Sequence, residues 1–119
     1  MVAQPVSQPR AAVYVRLATI GQQDSDRLAA QERACRRYAT RRGYAVDEAH
    51  VYRDRAGGLR LDGRPGLAAL RAAIRSGEVA AVIAESRDRL ARDLTTFSGI
   101  AAACKQAGAA LVFAQEGED

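Results

Sequence analysis

The chain is 119 residues long, 48% hydrophobic, and carries a formal charge of +4 from 18 basic and 14 acidic side chains. This length accommodates one domain with a real core, and a lone histidine, His50, rules out a His-rich metal site. Only one basic residue, Lys105, is a lysine. Guanidinium groups bind phosphate in a bidentate fashion that an ammonium cannot match, so the bias fits a polyanionic partner, although heavy alanine usage means that a GC-rich coding sequence accounts for it equally well.

Residues 1–10 read as a flexible tail without the apolar core of a signal peptide, and no apolar run reaches membrane-spanning length, so a soluble, cytoplasmic protein is expected. The first element is an apolar strand, Val13-Tyr14-Val15-Arg16-Leu17, that runs into the small-residue turn Ala18-Thr19-Ile20-Gly21-Gln22. A central strand of a parallel sheet is covered on both faces, so Arg16 within it needs a partner or a ligand. Ligands of open α/β folds sit at the carboxyl ends of the strands, which places the site at this turn.

Asp24-Ser25-Asp26 offers N-caps for an amphipathic helix to about Arg42, stopped by Gly43. Its apolar stripe is Leu28, Cys35 and Tyr38. Gln31 shares that stripe, either as a polar contact to the first loop or as a boundary position. Arg33, Arg36, Arg37, Arg41 and Arg42 lie on other faces, where a solvated basic surface is the default reading. Residues 44–52 form the second strand, followed by the glycine-rich, charged stretch 53–63. A second helix begins at Arg64-Pro65-Gly66 and shows Leu67, Leu70 and Ile74 at helical spacing before Gly77. The third strand is the apolar run 79–84.

From that strand emerges the densest charge cluster, Glu85-Ser86-Arg87-Asp88-Arg89-Leu90-Ala91-Arg92-Asp93. If it opens a helix, Asp88 and Arg92 lie one turn apart on one face. A third helix follows with Leu94, Phe97, Ala101 and Cys104 inward, then a fourth strand over 109–114. Cys35 and Cys104, each on a helix's apolar stripe, read as core residues rather than a disulfide or metal pair. His50 reads as a surface histidine. The alternation of strands and helices predicts an α/β three-layer sandwich: a mostly parallel, four- to five-stranded sheet with helices on both faces. The turn after Arg16 and the cluster after residue 84 then meet at one sheet edge. There Arg16, Arg89 and Arg92 converge without three carboxylates to balance them, which suggests an anionic ligand such as a phosphodiester.

The motifs that carry chemistry are Tyr14-Val15-Arg16-Leu17-Ala18-Thr19 with Gln22; Leu28 with Gln31; Asp54 with Gly58; Arg64-Pro65-Gly66-Leu67; and Asp88-Arg89-Leu90-Ala91-Arg92-Asp93. In this order and spacing the chain resembles the catalytic domain of the serine recombinases, the resolvase/invertase family, over about residues 11–117, within an expected domain of residues 11–119. The resemblance implies cleavage and resealing of DNA without metal or cofactor, through a serine that attacks a backbone phosphate while arginines stabilise the transition state. By the same resemblance, Arg16, Arg89 and Arg92 match phosphate-binding arginines and Asp88 an acid-site carboxylate. Arg64 matches a further arginine, and Thr19, Gln22 and Asp54 match supporting polar positions. Ala18 stands where the family has its serine, and a methyl group cannot attack phosphorus.

Two readings of a recombinase-like domain follow: a catalytic domain whose nucleophile has been replaced, or a natural pseudo-recombinase serving as a non-catalytic DNA-binding or regulatory module, which Gly57-Gly58 in place of the family's frequent Ser-Gly favours. Both predict an inactive polypeptide that binds DNA backbone weakly. The sequence also ends before the family's long dimerisation helix and DNA-binding domain, so a homo-oligomer is expected only with those parts. A flavodoxin-like nucleotide-binding domain is the third reading, weakened by the lack of a glycine-rich phosphate loop after the first strand.

Overall fold

The computed structural model describes residues 8–17, 24–55 and 64–115. Strand β1 spans Ala11–Leu17 and helix α1 Asp24–Arg41, and a single 3₁₀ turn over Glu48–His50 leads into β2, Val51–Arg55. Helix α2 spans Pro65–Ser76, β3 Ala81–Ala84, the one-turn helix α3 Arg87–Leu90, α4 Leu94–Ala107 and β4 Ala110–Phe113. The described strands form one four-stranded sheet in the order β2-β1-β3-β4, and every pairing is parallel.

Side-chain alternation along β1 builds both cores. Ala11, Val13 and Val15 face α1, where Leu28, Cys35, Tyr38 and Ala39 meet them together with Ala81 and Ile83. Ala12 and Tyr14 face the other way, into Leu67, Leu70 and Ile74 of α2 and Ile100, Ala103 and Cys104 of α4. The three-layer architecture expected from the sequence is therefore present. Cys35 and Cys104 are buried free thiols on opposite faces of the sheet, which is why they cannot pair.

Three local expectations need correction. The second strand starts at Val51 rather than near residue 44, because Ala45 makes only an isolated parallel bridge to Arg10 before the 3₁₀ turn intervenes. That bridge, with Pro9 carbonyl oxygen accepting from Ala45 N, starts backbone pairing two residues ahead of Ala11. The cluster at 85–93 does not open a long helix: α3 ends at Leu90, Ala91 is extended, and Asp93 caps a separate α4 by accepting from Thr96 N at 2.8 Å. Asp88 and Arg92 are thus not on one helical face, and the restart of helical phase leaves Leu94 69% exposed instead of in the core. His50 is buried rather than superficial, its Nε2 lying 3.2 Å from Glu78 Oε1.

Candidate functional site

The sheet order places β1 beside β3, with their following connections leaving in opposite directions across the sheet, and open α/β folds hold their ligands in the crevice at such a switch point. Arg16, near the end of β1, spans that crevice. Its side chain is almost wholly buried; Nε donates to the carbonyl oxygen of Arg89 at 3.1 Å and Nη2 to that of Asp88 at 2.7 Å. Arg89 Nη1 donates in return to the carbonyl oxygen of Arg16 at 3.4 Å. One arginine thereby ties the end of β1 to α3, 73 residues further along the chain.

Gln31 of α1 fixes the same residue from the other side. Its Oε1 accepts from Arg16 N at 2.9 Å and its Nε2 donates to Arg16 O at 3.2 Å, which makes it the polar contact, not a boundary position, on the helix stripe. An amide side chain supplies a donor and an acceptor together, so it replaces both ladder bonds that the strand loses there.

Arg16, Arg89 and Arg92 line a cleft of about 250 Å³ together with Glu85, Ser86 and Asp88, and Gln115 closes one side. The three arginines expected to converge do line one cleft, with two carboxylates, Glu85 and Asp88, rather than the three that would balance them. Glu85 lies 3.7 Å from Arg89 Nε, a long ion pair in a half-exposed setting, whereas Arg92 is exposed and makes no ion pair among the described residues. The basic excess is felt most at Arg16: burial, then the charges of Arg64, Arg92 and Arg89, pull its pKa below the ordinary arginine value against the opposing effect of Tyr14. A guanidinium so placed gains from an incoming anion, which restores the counter-charge that burial removed.

Arg64 sits elsewhere. It is 1% exposed at the N-terminus of α2, with Nη2 2.8 Å and Nε 3.2 Å from Tyr14 Oη and a further, very short bond from Nη2 to the carbonyl oxygen of Leu90. Tyr14 Oη donates to Asp54 Oδ2 at 2.6 Å, and burial, reinforced by that carboxylate, raises the phenol well above its usual pKa. Asp54 in turn accepts from Gly66 N at 2.7 Å and Leu67 N at 2.9 Å. A carboxylate from β2 therefore caps α2 from outside, satisfying amides that Arg64, at the N-cap position, leaves unpaired. The approach requires glycine at 66, since a Cβ there would lie 2.9 Å from both Asp54 Oδ1 and Arg53 O.

Of the residues singled out in the sequence, Arg16, Asp88, Arg89 and Arg92 gather at the cleft, whereas Asp54 and Arg64 belong to a buried network behind it. Ala18, Thr19 and Gln22 lie outside the described residues. Sequence reasoning missed Tyr14 as the hub of that network; the available signal was a tyrosine in the middle of an aliphatic strand, whose hydroxyl needs a partner when buried. Gln115 at the cleft was missed as well, with nothing in its local pattern to mark it, and Glu85, though part of the charge cluster, was not singled out. Among the described residues no cluster of three His, Cys, Asp or Glu side chains is placed to hold a metal ion, and no described helix is long and apolar enough to cross a membrane.

A family model described as Resolvase, N terminal domain, matches residues 11–119. No curated protein matches the chain. Among solved structures, the C-terminal catalytic domain of ISC1926 TnpA, an IS607-like serine recombinase, is 28% identical with a TM-score of 0.77, over 89% of this chain and 70% of that one. A serine recombinase from Sulfolobus solfataricus is 25% identical with a TM-score of 0.69, over 94% and 72%. The N-terminal catalytic domain of TP901-1 integrase shares the fold at 22% identity, with a TM-score of 0.78 over 90% and 79%.

Proposed function

We propose, from the premise that the chain belongs to the resolvase family, that it is a serine-recombinase-type catalytic domain that binds a DNA backbone phosphate in the Arg16–Arg89–Arg92 cleft and does not cleave it. The observation that carries this reading is the buried Arg16, held by two carbonyl oxygens, with Arg89 and Arg92 around one polar cleft at the β1/β3 crevice. In the family's chemistry a serine hydroxyl forms the bond to phosphorus and the sugar oxygen leaves. The arginines answer the charge that builds on the phosphoryl oxygens. Here the position two residues beyond Arg16 is Ala18, which has no oxygen to make that bond, so binding and charge stabilisation survive without covalent chemistry.

Asp54, Tyr14 and Arg64 support the cleft indirectly: Arg64 holds the carbonyl oxygen of Leu90, at the end of α3, and so sets where Arg89 and Arg92 stand. By the family resemblance, Thr19 and Gln22, shortly after Arg16 in sequence, are supporting polar positions. Backbone phosphate is the partner, no cofactor takes part, and higher assembly with DNA exchange requires segments such as the family's dimerisation helix.

The test is incubation of the 119-residue chain with nicked or phosphorothiolate-containing duplex, followed by denaturing electrophoresis. Retarded but non-covalent complexes are expected from the chain as it stands, and a protein–DNA adduct from the Ala18→Ser variant. A covalent adduct with Ala18 in place would overturn the reading.

A further inference from the structure

The two carboxylates of the cleft stand in different relations to its arginines. Asp88 is exposed and makes no ion pair among the described residues; Arg16 uses only its backbone carbonyl oxygen. Glu85 faces Arg89, with Oε1 3.7 Å from Nε, and both side chains line the cleft. The same four-residue spacing closes fully elsewhere in the chain: within α1, Glu32 Oε2 lies 2.9 Å from Arg36 Nε. Glu85 lacks that helical geometry because it precedes Ser86, the N-cap of α3. Its backbone is pinned at the end of the sheet, where its carbonyl oxygen accepts from Gln115 N at 3.0 Å. Arg89 is held no more tightly on its other side, since its bond from Nη1 to Arg16 O is 3.4 Å long.

A carboxylate and a guanidinium that face each other in a half-exposed cleft without closing to hydrogen-bond distance form a weak pair. A phosphate oxygen entering between Arg16, Arg89 and Arg92 meets the same Nε–H that Glu85 faces, so the two anions compete for it. Three guanidinium groups against two carboxylates leave the cleft with a single net positive charge. A phosphodiester within a DNA strand carries one negative charge, whereas a phosphate monoester above its second pKa, near 6, approaches two. Coulomb energy is proportional to the charge of the ligand, so a carboxylate at the site opposes the dianion about twice as strongly as the monoanion.

We infer that Glu85 is a specificity-determining residue of the cleft. Its carboxylate is a resident anion beside Arg89 that every incoming phosphate must displace, and it biases the cleft toward the singly charged phosphodiester of a continuous strand and away from the doubly charged phosphate of a strand end or of free phosphate. The inference rests on the reading of the cleft as a phosphate site and adds to it the charge state of the phosphate that is accepted.

The experiment titrates the whole chain at pH 8 and one low ionic strength with dimethyl phosphate, a monoanion, and with methyl phosphate, a dianion, following the arginine Nε–H groups by NMR. Four proteins are compared: the wild type, Glu85→Gln, which keeps the shape and removes the charge, Arg89→Ala, and Asp47→Asn, which removes the same charge beside Arg10 at the opposite end of the sheet. Glu85→Gln should bind dimethyl phosphate about fivefold and methyl phosphate about twenty-fivefold more tightly than the wild type, with an unchanged circular dichroism melt. Asp47→Asn should change neither affinity by more than about twofold, because screening removes interactions beyond about 10 Å. An equal gain for both ligands, no gain for either, an equivalent shift in Asp47→Asn, or a Glu85→Gln protein that does not fold overturns the inference. If Arg89→Ala loses binding while Glu85→Gln leaves the ratio of the two ligands unshifted, the inference falls and the cleft stands. Binding that survives Arg89→Ala, or no binding of either ligand by any of the four proteins, overturns the proposed function and this inference together.

Discussion

Replacing Tyr14 with phenylalanine removes one oxygen from a buried site where two charged groups meet it. Tyr14 Oη gives Asp54 its 2.6 Å bond and receives two N–H donors from Arg64, at 2.8 and 3.2 Å. Asp54 keeps the Gly66 and Leu67 amides and Arg64 keeps the Leu90 carbonyl, so neither charge is abandoned. Each still loses a charge-assisted bond in a dry interior, at about 1.5–3 kcal/mol apiece. The expected cost is therefore about 3–6 kcal/mol, a large share of the roughly 5–15 kcal/mol by which domains are stable. At about 4 °C per kcal/mol for a chain of this size, Tm should fall by about 12–24 °C. Urea titration followed by circular dichroism gives the free energy directly, provided the m-value is unchanged. The half-exposed Tyr52, whose hydroxyl makes no hydrogen bond among the described residues, supplies the control: Tyr52→Phe should cost under about 0.5 kcal/mol. A Tyr14→Phe protein within about 1 kcal/mol of wild type would refute the view that the phenol holds Asp54 and Arg64 together.

Further outcomes follow from other residues. Gly66→Ala should destabilise by about 1–3 kcal/mol by pushing a methyl into Arg53 O and Asp54 Oδ1, measurable by the same titration. Arg89→Ala should weaken binding of inorganic sulfate or phosphate, read by calorimetry, while Tm changes by no more than a few degrees; unfolding instead would make Arg89 a structural strut. Burial pushes the Cys35 thiol up to about 12 from its usual 9. The unfolded chain releases that proton first, so this contribution to stability is full below about pH 9 and fades as pH rises toward 12, with Tyr14 adding to the same slope from about pH 10. Cys35→Ala should flatten the slope in that window. Native Cys35 and Cys104 should resist a thiol reagent at pH 8 and react only on unfolding.

The fold was legible because its signals are periodic: an apolar 79–84 run, Leu67, Leu70 and Ile74 on one helix face, and glycines 43, 77 and 108 at positive φ where helices end. The convergence of Arg16, Arg89 and Arg92 was legible for the related reason that parallel strands deliver their exit loops to one edge. What stayed hidden depends on the third dimension. Asp54 caps a helix 12 residues away in sequence, and His50 buries itself against Glu78; neither has a local signature. The break between α3 and α4 was hidden because Arg87–Leu90 and Leu94–Ala107 are both good helix sequence. Only the extended Ala91 and the Asp93 cap separate them.

The tie between Arg16 and the α3 carbonyls also bears on how the molecule comes together in time. It joins residues 73 positions apart, and the sheet around it joins Val13 to Val51, Ala11 to Ala81 and Ala81 to Ala110. Contacts of such sequence separation form late and slow folding, because long loops must close before they are rewarded. The arginine-lined cleft is therefore among the last parts to assemble and has no precursor in any short segment. During synthesis, no nascent chain shorter than about Arg92 can present it, so the cleft takes shape only after both of its distant halves have been made.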